Sequence, residues 1–197
     1  MTPQSRSQIW NIPNILTLLR IALIPVMVVL LFSDSRDDGF WAAAIFAIAS
    51  TTDWLDGYLA RRMQIVTVFG KFLDPIADKL MVMAALIMIL PFGRAPAWMV
   101  LVILGREIII TGLRGIASSE GIVISASDLG KLKTIFQIVA ILGLLLHYDY
   151  RWCFGIDNPY LVVNMHHVGM FYLWIATIIT IWSGVDYLYK FMRIIAR

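Results

Sequence analysis

Four aspartates, Asp53, Asp56, Asp74 and Asp78, stand at the ends of long apolar runs. Asp53, Asp56, Gly57 and Ala60 recur at i, i+3, i+4 and i+7, a spacing that puts all of them on one helix face. Gly70, Asp74 and Asp78 follow at intervals of four on the next helix, which a short basic turn makes antiparallel to the first. A central Asp in a membrane helix costs roughly 2.5–3.5 kcal/mol. For Asp74 a structural reason exists: Asp before Pro75 suits a helix cap, and Asp78 then lies in the first turn, where the helix dipole favours an anion. Asp53 and Asp56 have no such reason. They occupy the second half of their helix, and no Lys or Arg follows three or four residues on. Four converging carboxylates repel one another, and hard divalent cations held by oxygen, Mg²⁺ or Mn²⁺, relieve that repulsion; two ions balance the charge. Such a two-ion site typically clamps a phosphoryl group, so the pattern points to a substrate carrying a pyrophosphate. Gly57, Ala60 and Gly70 leave room on the same surfaces for close helix packing or for a bulky ligand.

The elements that position these residues follow from composition. Of 197 residues 60% are hydrophobic and 15% charged, with a mean hydropathy of +0.80, which predicts an all-α integral membrane protein. Apolar runs at about residues 15–32, 39–60, 77–92, 95–116, 134–148 and 168–189 each approach the roughly 20 residues that span hydrocarbon. The expectation is six transmembrane helices in a single domain over 1–197, without a cleaved signal peptide, linker or internal repeat. In "NIPNILTLLRI", Asn14 after Pro13 suggests a helix cap, and Arg20 suggests a short interfacial segment before the first span. All Lys and Arg residues except Arg36, Arg94 and Arg151 fall on one side of such a topology, which places both termini in the cytoplasm. The net charge of +3 suits anionic lipid and requires no nucleic acid. Cys153 is the single cysteine, so no intrachain disulfide forms. "SDSRDDG" and the stretch from His147 to Gly169 read as external connections, with His147, His166 and His167 as ordinary loop residues rather than metal ligands. "RGIASSEGIVISASDLGKLK" reads as a long cytoplasmic connection.

Residues 53–78, "DWLDGYLARRMQIVTVFGKFLDPIAD", resemble the signature of the CDP-alcohol phosphatidyltransferases: D-x-x-D-G-x-x-A-R, eight residues, then G-x-x-x-D-x-x-x-D. Every fixed position is filled. The resemblance implies six helices around a two-metal site at the cytoplasmic face of a bacterial inner membrane, usually in a homodimer. It implies Asp53, Asp56, Asp74 and Asp78 as metal ligands, Asp78 also as the base that deprotonates the acceptor hydroxyl, and Gly57, Ala60, Arg61 and Gly70 as neighbours of the CDP portion. "NIPNILTLLRI", "GREIIITGLRG" and "GKLKT" resemble those bacterial members that join CDP-diacylglycerol to sn-glycerol 3-phosphate.

A phosphorylated acceptor needs cations, and Arg106, Arg114, Lys131 and Lys133 lie at the cytoplasmic ends of the fourth and fifth spans. Positive-inside anchoring explains Lys133 better than substrate contact does, whereas Arg106 sits too deep in its span for anchoring alone. Glu107 is placed to orient Arg106 or Arg114, Thr111 shares the Glu107 face, and Asp186 is a candidate partner for one of these cations. Rival acceptors are inositol phosphate, phosphatidylglycerol and serine. The rival class is a small cation or proton transporter, against which stand the missing repeat and the confinement of the acids to one end of the spans.

Overall fold

Runs of Leu, Ile, Val, Ala and Met, broken by Gly, Pro, Ser and Asp, give six helices in the computed structural model, which describes residues 12–63, 68–119, 128–151 and 162–195. They are α1 (Ile12–Leu30), α2 (Arg36–Met63), α3 (Val68–Met88), α4 (Ala97–Ser119), α5 (Asp128–Leu146) and α6 (Met165–Ile195). Between α5 and α6, strands β1 (Asp149–Arg151) and β2 (Val162–Asn164) pair antiparallel, with Tyr150 opposite Val163. This ribbon is the one addition among the described residues to the expected all-helical chain.

Two compact units divide the chain, Met1–Phe92 and Gly93–Arg197. In the first, α1 packs along both α2 and α3. Its core takes Ala42, Phe46 and Ala49 from α2 and Ala77, Met81 and Ala85 from α3, the i, i+4, i+7 or i+8 spacing of one helix face. In the second, α6 packs against α4 and most extensively against α5. A stripe of Leu173, Ala176, Thr177, Thr180, Ser183 and Tyr187 is its buried side. The outer faces remain apolar: Phe32, Leu101 and Trp182 are at least 70% exposed, an arrangement suited to lipid rather than water. Met165–Ile194 is by itself long and apolar enough to cross a membrane, while Asn14–Leu30, Lys79–Met88 and Leu132–Leu146 are shorter apolar stretches.

Hydropathy placed the helices but not their ends, because caps and backbone hydrogen bonds set the ends. Ser35 and Asp38 form a reciprocal capping pair: the Asp38 amide donates to Ser35 Oγ at 3.1 Å, and Ser35 Oγ donates to the Asp38 carboxylate at 2.6 Å. Helix α2 therefore starts at Arg36, and the acidic part of "SDSRDDG" is helix rather than loop. Likewise α5 starts at Asp128, so Lys131 and Lys133 belong to a helix and not to a long connection. Asn164 Oδ1 accepts from the His167 amide at 2.9 Å and caps α6. The Asn14–Arg20 segment is not a separate interfacial piece; it is part of α1, which continues past Pro25.

The end of α5 is closed from two sides. The His147 amide donates to the Gly143 carbonyl at 2.9 Å, with His147 itself at φ +49° in the left-handed region. Arg94, 1% exposed, donates from one guanidinium nitrogen to the carbonyls of Leu144 at 3.4 Å and Leu145 at 3.1 Å. A cation on the carbonyl end of a helix meets both the unpaired acceptors and the negative pole of the dipole. Arg94 is thus a buried helix cap rather than an exposed charge.

Helices α5 and α6 touch backbone to backbone. A Cβ added to Gly143 would lie 2.7 Å from Gly169 Cα, and one added to Gly169 would lie 2.7 Å from the Leu144 amide nitrogen. Close approach of this kind needs glycine on both helices. Gly143→Ala is expected to destabilise the protein by about 1–3 kcal/mol, the usual range for overpacking. Thermal unfolding in detergent micelles measures it, and an unchanged midpoint would show that the helices separate at no cost.

Candidate functional site

The acidic signature lies on two long helices. Positions 53, 56, 57, 60 and 61 are within α2, and positions 70, 74 and 78 within α3. The side chains of Asp53, Asp56, Gly57, Ala60, Arg61, Gly70, Asp74 and Asp78 lie outside the described residues, as does that of Lys131. The backbone nevertheless corrects one expectation. Helix α3 begins at Val68, so Asp74 is not a helix cap and Pro75 is not a first helical residue. The ordinary reason for having Asp74 there is thereby removed. Just before Asp53, Thr51 Oγ1 donates to the Ala47 carbonyl at 2.8 Å, and Thr52 bonds back to Ile48 in the same way. Both hydroxyls are satisfied within α2 itself.

Sequence reasoning missed a buried polar stripe on α1. Asn14, Thr17 and Arg20 are 3%, 1% and 3% exposed and recur at intervals of three. Asn14 is inside the helix, not its cap, and Arg20 is buried, not interfacial. The signal was the spacing of three polar residues in an otherwise apolar helix. They belong to the same unit as the four aspartate positions.

The second unit carries a charged cluster. Glu107 Oε1 accepts from Arg106 at 3.2 Å and is also bound by the Lys133 ammonium. The Lys133 side chain is 3% exposed. Its charge is therefore held inside the helices and not used as a surface anchor, since a buried ammonium requires an acidic partner. Arg106 reaches α6, where its other terminal nitrogen donates to Ser183 Oγ at 3.3 Å. Glu107 does orient Arg106, but Asp186 does not pair with this cluster; it accepts from Lys190, one turn along α6, at 2.7 Å. The i, i+4 spacing makes Lys190 its local partner. Thr111 is exposed and donates to the Glu107 carbonyl at 2.7 Å, and Arg114 is exposed one turn further along α4.

The three histidines meet as rings. His147 and His166 have centroids 4.8 Å apart and are nearly perpendicular, and His166 and His167 are 5.9 Å apart. Among the described residues no group of three His, Cys, Asp or Glu side chains is arranged to hold a metal. Of the residues in this chain, the four aspartates of the signature have the donor chemistry that fits Mg²⁺ or Mn²⁺, because hard cations take carboxylate oxygens.

A helical membrane-type chain with a complete acidic signature defines a lipid phosphotransfer enzyme, and sequence comparison confirms the class: the chain belongs to the CDP-alcohol phosphatidyltransferase family, whose sequence model matches residues 10–182. It is 45% identical over 193 residues to the CDP-diacylglycerol–glycerol-3-phosphate 3-phosphatidyltransferase of Bacillus subtilis, covering 92% of this chain and 95% of that one. Proteins of the same name from Haemophilus influenzae and Rickettsia bellii are 40% and 38% identical, with 91% and 90% of this chain covered and 92% and 93% of theirs. Membership in a family of transferases answers the transporter alternative.

Removing the carboxylate that joins Arg106 to Lys133 tests the cluster. Glu107→Ala is expected to cost about 3 kcal/mol, the range for breaking a buried ion pair from one side. A double-mutant cycle with Lys133→Met, read by thermal unfolding in micelles, should show strong coupling. Additive effects would mean that the two side chains do not depend on each other.

Proposed function

We propose that the protein transfers the phosphatidyl group of CDP-diacylglycerol to the 1-hydroxyl of sn-glycerol 3-phosphate, giving phosphatidylglycerophosphate and CMP. The observation that carries this reading is the match, over at least 90% of this chain, to relatives whose names state that donor and acceptor, joined to a signature in which all eight fixed residues are present.

Asp53, Asp56, Asp74 and Asp78 would hold two divalent ions, which when bound supply positive charge to the donor's pyrophosphate. Support comes from the helix bounds. Positions 53 and 56 lie ten and seven residues from the end of α2 at Met63, and positions 78 and 74 lie ten and six residues from the start of α3 at Val68. At about 1.5 Å rise per residue, antiparallel helices bring such positions to matching levels. Gly57, Ala60 and Gly70 would leave space for the CDP portion, and Arg61 would add a cation beside it.

Asp78 acts as general base. It accepts the proton of the acceptor hydroxyl as that oxygen attacks the phosphorus bearing diacylglycerol, and the bond from that phosphorus to the CMP oxygen breaks in line. Arg106 and Arg114 bind the phosphate of glycerol 3-phosphate, and Lys131 and Thr111 complete its polar surround; Lys133, buried against Glu107, holds the carboxylate that orients Arg106 instead of meeting the phosphate itself. A free alcohol such as serine would leave those cations unused. The acyl chains remain in lipid, the six helices span the inner membrane of a bacterium as one domain with both termini in the cytoplasm, and the enzyme works as a homodimer with its site open to the cytoplasm. One substrate thus arrives from the bilayer and the other from water.

The test is CMP release by purified protein in micelles containing CDP-diacylglycerol and Mg²⁺ or Mn²⁺. Release is expected with glycerol 3-phosphate and not with inositol phosphate, phosphatidylglycerol, serine or no acceptor. A preference for any other acceptor would overturn glycerol 3-phosphate as the acceptor, and a preference for serine, which carries no phosphate, would also overturn the assignment of Arg106 and Arg114. Asp53→Asn and Asp78→Asn should each lower turnover by more than about 100-fold while the protein still accumulates in membranes. An active Asp78→Asn variant would remove the base from the mechanism.

A further inference from the structure

We infer that Ser183 and Gly184 of α6 are positioning residues that seat Arg106 and thereby set the affinity for the phosphorylated acceptor; the inference rests on the proposed role of Arg106. Two neighbouring positions on α6 treat the same arginine in complementary ways. Ser183, 2% exposed, donates its hydroxyl proton to the Thr180 carbonyl at 3.2 Å. That bond fixes the hydroxyl rotor and turns the oxygen's lone pairs outward, where Oγ accepts from a terminal Arg106 nitrogen at 3.3 Å. At position 184 a Cβ would lie 3.3 Å from Arg106 Cγ, closer than side chains normally come, so glycine leaves the groove in which the arginine stem lies.

The guanidinium is thus held at one nitrogen by Ser183 and at the other by Glu107, at 3.3 and 3.2 Å. Its Nε is buried and has no hydrogen-bond partner. A guanidinium carries five N–H donors in a rigid plane. Each terminal nitrogen is held through one N–H and keeps a second, and the side chain is 18% exposed; two held corners thus describe a cation fixed in orientation with hydrogen-bonding capacity left for an oxyanion at its terminal nitrogens. A planar fork loses its bidentate geometry when its stem shifts by a fraction of an ångström, so the seat on α6 acts on binding rather than on the reacting atoms.

The experiment measures KM for glycerol 3-phosphate, KM for CDP-diacylglycerol and kcat for Ser183→Ala, Ser183→Thr, Gly184→Ala, Arg106→Ala and the Arg106→Ala/Ser183→Ala double variant, with thermal unfolding of each. Ser183→Ala and Gly184→Ala are expected to raise KM for glycerol 3-phosphate about fivefold to tenfold, leaving kcat and KM for the lipid donor close to wild type. Ser183→Thr, which keeps the hydroxyl, should recover most of the loss. The double variant should be no worse than Arg106→Ala alone. If Arg106→Ala raises KM for the acceptor and Ser183→Ala and Gly184→Ala do not, the seat is overturned while the acceptor site stands. Equal losses in both KM values and kcat, or additivity in the double variant, overturn it as well. If Arg106→Ala itself leaves the acceptor KM unchanged, the role of Arg106 fails and the inference fails with it.

Discussion

A polar group inside an apolar helical bundle must find its partner within the protein, and this constraint accounts for most of the specific geometry. Buried polar groups cost several kcal/mol when unpartnered. Threonines on the helices therefore bond back to carbonyls one turn earlier, as Thr177 does to Leu173 and Thr180 to Ala176, at 2.7 and 2.6 Å. Arg94 takes the last carbonyls of α5, and Glu107 joins Arg106 to Lys133. The charges that survive burial are the ones for which the fold supplies a counterpart. The same rule makes Asp53 and Asp56 conspicuous in the sequence, because no Lys or Arg follows either of them three or four residues on.

Glycine solves the complementary problem of space. Gly143 and Gly169 let α5 and α6 meet at their backbones, and Gly184 leaves a groove for the Arg106 stem. A helix interior normally disfavours glycine by about 1 kcal/mol relative to alanine. A methyl group would collide with the facing helix backbone at Gly143 and Gly169 and would crowd the Arg106 stem at Gly184, so close packing outweighs propensity.

Order and rough placement of the six described helices were legible in hydropathy alone, because each apolar run of the sequence falls on one of them. Helix ends were not. Asp74 before Pro75 looks like a helix start, yet α3 already runs from Val68, and the Ser35–Asp38 capping pair begins α2 within a stretch read as loop. The acidic signature was readable because its chemistry depends on residue type and spacing, both written in one dimension. Partner choice was not, since it depends on which helices meet: Asp186 is satisfied by Lys190 on its own helix, while Lys133 of α5 turns inward to Glu107 of α4. The polar stripe of Asn14, Thr17 and Arg20 had a visible spacing that was overshadowed by the resemblance of its first residue to a helix cap.

Arg94 carries a consequence for biogenesis. Its carbonyl acceptor on Leu145 lies 51 residues further along the chain. At roughly 5–20 residues per second, the ribosome takes on the order of 3–10 s to deliver that acceptor. During that interval neither carbonyl exists, so the contact between Arg94 and the end of α5 forms only after α5 itself has been made. The cap on α5 is therefore available before the chain of α6, Met165–Ile195, has been made. A chain truncated before Leu144 would lack both of these carbonyl acceptors, so this cap is one that an unfinished protein cannot make.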